Sequence, residues 1–176
     1  MTKKIFKNII LRELNYNDVN KSYVSWLNDK ITNRFTEQRF IKHDVKTTKN
    51  YIAKQRASKN NYLYGIFLKL EKRKIHIGNL KIGSINFKHR FAEISYLIGN
   101  KSYLNYGIGT LAVKKGIQLC KSKFKIKKLI AGCYSINHAS KKVLLKNGFK
   151  LEGIITKKLI YKTKRVDHCI YGLNIK

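Results

Sequence analysis

The sequence predicts an α+β domain in which helices pack on a mostly antiparallel sheet. The chain has 176 residues, which fits one domain of about 100–200 residues, spanning 1–176. It contains no proline, and no linker or repeat divides it. From Tyr62 onwards, three strand-like segments follow one another across short charged turns, and segments with helical spacing lie on both sides of them.

One strand and two helices are predicted in the first third of the chain. Residues 9–14 have the composition of a strand. Asn17 or Asp18 can cap a first helix that ends near residue 27, in which apolar residues recur at the i, i+3, i+4 spacing of a buried stripe. Thr47 or Thr48 can cap a second helix that ends near residue 58.

The remaining elements are predicted from the same patterns. An antiparallel meander covers residues 62–98, with turns at EKRK and KHR. A helix follows, then the strand KKLIAGCYS, a short helix that Asn137 caps, and two strands near residues 150–160 and 166–173. The predicted order is βααβββαβαββ, with about four helices beside the sheet.

Composition excludes several classes of protein. The net charge is +30, but 43% of the residues are hydrophobic, which is typical of a globular chain and not of a disordered one. No apolar run reaches the ~18 residues of a membrane helix, and the start of the chain lacks the pattern of a signal peptide, so we predict a cytoplasmic protein. Neither the three cysteines nor the five histidines have metal-ligand spacing, so we predict buried thiols and no metal.

The most informative local motif is Leu104-Asn-Tyr-Gly-Ile-Gly-Thr110, which follows a strand and opens a helix. A helix start carries unpaired N–H groups and a positive dipole end, and glycines let the backbone approach a phosphate or pyrophosphate. The alternative is a plain glycine turn. The motif is neither a complete dinucleotide fingerprint nor a P-loop.

A second motif, N-H-A-S at Asn137–Ser140 followed by N-G-F-K-L-E-G, allows a family to be recognised. Together with the glycine motif and the order of elements, it resembles the GNAT superfamily of acetyl-CoA-dependent N-acyltransferases over nearly the whole chain. The W-L-N-D stretch at Trp26 and I-G-N-L-K-I-G at Ile77 resemble one bacterial branch. That branch contains ribosomal-protein N-terminal acetyltransferases and acetyltransferases of nucleotide-linked amino sugars.

The resemblance implies a site for acetyl-CoA as cosubstrate. The fourth and fifth strands are expected to splay apart in a V and hold the pantetheine arm, while the glycine motif holds the pyrophosphate. Leu104 stands where the family has Gln or Arg, which removes one side-chain contact. The expected cofactor-binding residues are Ile94, Tyr96, Leu97, Asn105, Tyr106, Gly107, Ile108, Gly109, Thr110, Asn137 and Ser140.

The resemblance also implies candidates for catalysis. Glu93 lies where several family members place the general base; the alternative is a strand carboxylate paired with a lysine. A backbone N–H near residues 95–97 can stabilise the oxyanion. The tyrosine that many relatives use to protonate the thiolate is replaced by Leu144, which leaves Ser140, Tyr134 or water.

The acceptor is expected over the first two helices and their connection. Trp26, Arg34, Glu37 and Arg39 are the candidate substrate-binding residues, and two arginines beside a glutamate suit a diphosphate and an amine. The alternative is a solvated charged turn. Glu152 is interpreted as a structural carboxylate paired with a Lys or Arg.

Three functions remain open at this stage. The favoured one is N-acetylation of a small amine, preferably a nucleotide-linked amino sugar of surface polysaccharide synthesis, by a monomer or homodimer without specific nucleic-acid or membrane partners. The alternative acceptor is the N-terminus of a ribosomal protein; a polyamine would be repelled by so basic a surface. A basic nucleic-acid-binding module is the candidate from a different class.

Overall fold

The computed structural model describes residues 8–71 and 73–176, and its elements follow the predicted order. The charged turn EKRK therefore falls partly outside the described residues, as does most of the segment considered as a signal peptide. The strands and helices are β1 (Ile9–Glu13), α1 (Lys21–Asn28), α2 (Val45–Ala57), β2 (Tyr62–Lys69), β3 (Lys74–Asn86), β4 (Phe91–Ile98), α3 (Ile108–Ser122), β5 (Lys128–Tyr134), α4 (His138–Lys146), β6 (Lys150–Tyr161) and β7 (Lys164–Asn174).

The predicted caps of the first two helices are wrong. Asn20 caps α1 by accepting from the Tyr23 N–H at 2.9 Å, because residues 16–18 form a separate 3₁₀ turn. In α2 the cap is Asp44, which accepts from the Thr47 N–H at 2.7 Å, and the Thr47 hydroxyl accepts in return from the Asp44 N–H. Such a reciprocal pair satisfies two orphan N–H groups, whereas a threonine cap alone satisfies one.

The sheet has seven strands in the order β1-β2-β3-β4-β5-β7-β6. All neighbouring pairs are antiparallel except β4 and β5, which pair in parallel. That parallel pairing joins only Phe91–Glu93 to residues 128–130, so beyond Glu93 the two strands separate. The predicted α+β class and the V-shaped splay between the fourth and fifth strands are confirmed.

Helices cover both faces of the sheet. On one face, α3 and α4 pack on strand residues such as Leu80, Ile94 and Ala131. On the opposite face, the alternation of the strands presents residues such as Asn79, whose amide donates to the Tyr23 hydroxyl of α1 at 2.9 Å. A second core around α1 and α2 lies on that side.

The predictions for the cysteines and for Glu152 can be compared directly with the structure. Cys120, Cys133 and Cys169 are buried free thiols, as predicted. Glu152 pairs with Lys128, in agreement with its structural interpretation. Within residues 8–71 and 73–176 no helix is long and apolar enough to cross a membrane, and no group of three His, Cys, Asp or Glu side chains is placed to hold a metal ion.

Candidate active site

A cleft of about 1280 Å³ passes through the gap where β4 and β5 separate. Its walls include Tyr96 and Ile108 from the face that carries α3, and Lys81 and Ser95 from the face that carries α1 and α2. An unbroken sheet would separate these two sets of side chains. The splay therefore connects a pocket beside α3 with a pocket beside the α1–α2 connection.

The start of α3 forms one end of this cleft. Gly107 precedes the helix in the left-handed region at φ 77°, and none of the described side chains caps it. The next three residues line the cleft, so first-turn N–H groups and the positive end of the helix dipole are available to an anion. A Cβ on Gly109 would lie 2.9 Å from Tyr96 Cε2, so only glycine fits against that ring.

Ser140 and Tyr96 meet on the other side of the same pocket. Asn137 accepts from the Ser140 N–H at 3.2 Å, which fixes the start of α4, and all three residues line the cleft. Burial raises the pKa of Tyr96 to about 12, an effect that a hydrogen bond with Ser140 partly opposes. Tyr96 therefore stays protonated at neutral pH, and Ser140 lies near it in the cleft wall.

Tyr134 lies in the pocket beside the α1–α2 connection, which we call the acceptor end because the sequence predicts the acceptor there. Its hydroxyl accepts from Arg39 Nη1 at 2.6 Å and lies 3.4 Å from Glu37 Oε1, to which it donates. Arg39 Nη2 donates to the Ile160 carbonyl at 2.7 Å, and Phe35 packs against Tyr134. These contacts fix the α1–α2 connection to β5 and β6.

His168 also lines the acceptor end, although it is not among the site residues predicted from the sequence. It pairs in register with Tyr134 across β7 and β5, and its ring covers Gly132, where a Cβ would lie 2.3 Å from Nε2. Burial is the largest influence on its pKa and lowers it. The only signal in the sequence was a histidine in the last strand, and register cannot be read without the fold.

The cleft wall is strongly cationic. Glu37 is the one carboxylate among the described residues that line it. Three cations lie at the acceptor end, one each on the α1–α2 connection, β3 and β6. Two more lie on the side of α3 and α4, one before α3 and one within α4. They are Arg34, Lys81, Lys158, Lys101 and Lys142; Lys101 also pairs with Asp29 at 2.7 Å.

Most residues predicted to bind the cofactor lie together in the cleft wall. The exception is Tyr106, an exposed residue that does not line the cleft. Those that line it are Ile94, Tyr96, Leu97, Asn105, Gly107, Ile108, Gly109, Thr110, Asn137 and Ser140. Tyr134, Arg34 and Glu37 line it as well.

Three residues predicted for catalysis or substrate binding also lie outside the cleft wall. Trp26 is 8% exposed and packs against Tyr23 and His76 in the core, so its helical spacing reflects burial. Arg39 does not line the cleft, because its guanidinium is held by Tyr134 and backbone carbonyls. Glu93 is exposed and outside the cleft wall, since it stands before the splay opens.

The arrangement combines an anion site at a helix start, a gap through a sheet and a polar pocket behind it. A family model described as "Acetyltransferase (GNAT) domain" matches residues 8–150. The chain belongs to the GNAT acetyltransferase family. Membership makes this protein an acetyl-CoA-dependent acyltransferase, in agreement with the prediction.

Known proteins resemble this chain at low sequence identity. The uncharacterized N-acetyltransferase YoaA of Bacillus subtilis (strain 168) is 24% identical over 94% of this chain and 92% of its own length. Three solved structures share the fold. The spermidine N-acetyltransferase of Vibrio cholerae with CoA and spermine has a TM-score of 0.83 and 15% sequence identity over 95% of each chain. The self immunity acetyltransferase MccE with acetyl-CoA and AMP has a TM-score of 0.81 and 21% identity over 96% of this chain and 93% of that one. The ribosomal alpha-N-protein acetyltransferase RimL with coenzyme A has a TM-score of 0.80 and 18% identity over 96% of this chain and 94% of that one.

Proposed function

We propose that this GNAT enzyme transfers an acetyl group from acetyl-CoA to the primary amine of a small acceptor that carries phosphate. A nucleotide-linked amino sugar is the favoured acceptor. The observation that carries the proposal is the charge of the acceptor end, where Arg34, Lys81 and Lys158 line the cleft and Glu37 is the one carboxylate among the described lining residues. Cationic side chains with one carboxylate suit an anionic body that bears one amine.

The part of the cleft beside α3 fits acetyl-CoA, the acetyl donor. The uncapped start of α3 offers N–H groups to the pyrophosphate. The gap beyond Glu93 is open to an extended arm, since β4 has no pairing with β5 there. The thioester would then meet the acceptor at the splay.

The reaction needs polarisation of the thioester and protonation of the leaving group. A β4 backbone N–H beyond Glu93 can donate to the carbonyl oxygen and to the oxyanion that follows. The amine nitrogen forms a bond to the carbonyl carbon and gives up a proton, the carbon–sulfur bond breaks, and the thiolate takes a proton. We assign that proton to Ser140, which lines the cleft near protonated Tyr96.

Two other acceptors are the runners-up. A protein N-terminus is the acceptor in the RimL neighbour, and a peptide could enter the open acceptor end. A polyamine accompanies the Vibrio cholerae neighbour, but here it would face Arg34, Lys81 and Lys158 with only Glu37 in opposition. The presence of AMP with MccE is compatible with a nucleotide-bearing acceptor.

A panel of matched acceptors tests the proposal. Amine-dependent release of free thiol from acetyl-CoA is measured for a nucleotide-linked amino sugar, the same sugar without the nucleotide, spermidine and a short peptide with a free N-terminus. We expect the highest kcat/KM for the nucleotide-linked sugar. The advantage should shrink in Lys81→Gln, because a charge-assisted contact to phosphate is lost.

Lys114→Gln is the matched control, since Lys114 is exposed on α3 outside the cleft wall. Its acceptor preference should equal that of the wild type. Efficient acetylation of the peptide without inhibition by nucleoside diphosphates would replace the favoured acceptor with a protein N-terminus. Thiol release with spermidine alone would overturn the argument from charge.

A further inference from the structure

Neighbouring residues fix the position of the His168 ring at the acceptor end. Its register partner is Tyr134 on β5, and it lines the cleft beside Lys158 of β6. The Nε2 edge of the ring lies over Gly132, an exposed residue of the cleft wall. Any side chain at position 132 would occupy this space, so the glycine is what admits the imidazole.

The two nitrogens of this ring differ in access. Nδ1 is buried and has no hydrogen-bond partner among the described residues. Nε2 is the atom nearest to the space above Gly132. Nε2 is therefore the nitrogen that an acceptor in the cleft can reach.

We propose that His168 is the catalytic base of this enzyme and takes a proton from the ammonium group of the acceptor through Nε2. This role rests on the proposed N-acetyl transfer. The carboxylates fit the role less well: Glu93 is exposed outside the cleft wall, and Glu37 accepts from the Tyr134 hydroxyl. A histidine that lines the cleft can bind the amine directly.

The charges around His168 suit a base that works at neutral pH. Burial and Lys158 lower its pKa, while Glu93 on β4 and Glu37 on the α1–α2 connection raise it. On β5, the facing group is Tyr134, whose hydroxyl is held by Arg39. The pKa is lowered overall, so the imidazole is neutral at pH 7, and the two carboxylates stabilise the imidazolium once it forms.

The proton balance of the step is complete. The ammonium N–H proton moves to His168 Nε2, which frees the nitrogen lone pair for attack on the thioester carbon. As the tetrahedral intermediate collapses, the carbon–sulfur bond breaks and the thiolate takes the hydroxyl proton of Ser140. The second N–H proton of the former ammonium group passes to the Ser140 oxygen, so the serine hydroxyl is restored and the product is a neutral amide. The imidazolium then returns its proton to solvent through the open cleft.

The first test compares His168→Gln with His89→Gln, in which a histidine exposed on the β3–β4 turn is replaced. We expect His168→Gln to lower kcat by about 10²–10⁴-fold, the usual size of a general-base contribution, with acetyl-CoA affinity unchanged. The control should match the wild type. In the wild type, activity should fall as the pH drops and His168 gains a proton, and this acidic limb should disappear in His168→Gln, because no imidazole remains there to titrate.

A second pair of variants separates catalysis from folding. Gly132→Ala keeps the histidine but displaces its ring, and we expect it to lose activity at an unchanged melting temperature. His168→Gly opens a space for free imidazole, which should restore part of the rate. Full activity of His168→Gln with an intact acidic limb overturns the role of His168, whereas a wild type that releases no thiol with any amine overturns the proposed function.

Discussion

At the scale of single residues, Ser140 is the side chain that we propose protonates the leaving thiolate. Its position at the start of α4 is fixed by Asn137, and it lines the cleft near Tyr96. If Ser140 protonates the thiolate, Ser140→Ala should lower kcat by about 10²-fold or more and leave acetyl-CoA affinity nearly unchanged. Steady-state kinetics combined with equilibrium titration of acetyl-CoA measures both quantities.

The control for this prediction is Ser122→Ala at the far end of α3, where the hydroxyl donates only to the Gln118 carbonyl. It should leave kcat unchanged. A Ser140→Ala enzyme as active as the control would mean that the thiolate leaves unaided, which its ordinary pKa of about 8.5 permits.

Individual residues also show where sequence reasoning reaches its limit. Glu37, Arg34 and Arg39 belong to one charged run, and the sequence gives no reason to separate them. The fold turns Arg39 inward onto Tyr134 and Ile160 and leaves the other two in the cleft wall. That division depends on contacts across 95 and 121 positions of chain, which no local pattern records.

At the scale of elements, the start of α3 is predicted to be the main determinant of donor binding. A Cβ on Gly109 would lie 2.9 Å from Tyr96 Cε2, so Gly109→Ala must shift the ring or the first turn of the helix. Insertion of a methyl group into a packed site costs about 1–3 kcal/mol, and the same cost paid on binding raises the Kd of acetyl-CoA by about five- to 150-fold. Isothermal titration of the purified variant measures it.

Gly153→Ala is the matched control, because a Cβ there would meet no atom within 4 Å. Its acetyl-CoA affinity should equal that of the wild type. An unchanged Kd in Gly109→Ala, with an unchanged melting temperature, would mean that the donor binds away from the start of α3.

The elements themselves were predictable because each carries a local signal. Alternation, helical spacing and glycine turns gave the order from β1 to β7, and Asn137 was correctly identified as a cap. The caps of α1 and α2 were mispredicted, since Asn17, Asp18, Thr47 and Thr48 are also residue types that cap helices. In α1 the hydrogen bond from the Tyr23 N–H identifies Asn20 as the cap, and in α2 the reciprocal pair with Thr47 identifies Asp44.

At the scale of the whole molecule, the net charge of +30 has two separate consequences. A diffuse positive surface attracts any phosphate backbone, and this attraction falls steeply with added salt, because the counterions that binding releases gain less entropy in a more concentrated solution. Inside the cleft, a few cations act on one bound molecule at short range. Binding to nucleic acid is therefore expected at low salt and does not distinguish an enzyme from a nucleic-acid-binding module.

Acetyl transfer at physiological ionic strength, measured with a nucleic-acid competitor present, shows directly whether this protein acts as an N-acetyltransferase. Acetyl-CoA labelled in the acetyl group is incubated with the wild type and a nucleotide-linked amino sugar. Mass spectrometry then follows the amine, and free thiol is counted in parallel. We expect one labelled acetyl group on the amine for each thiol released, at a rate that the competitor does not change. Thiol release without acetylated amine, or an enzyme silenced by the competitor, would contradict this expectation.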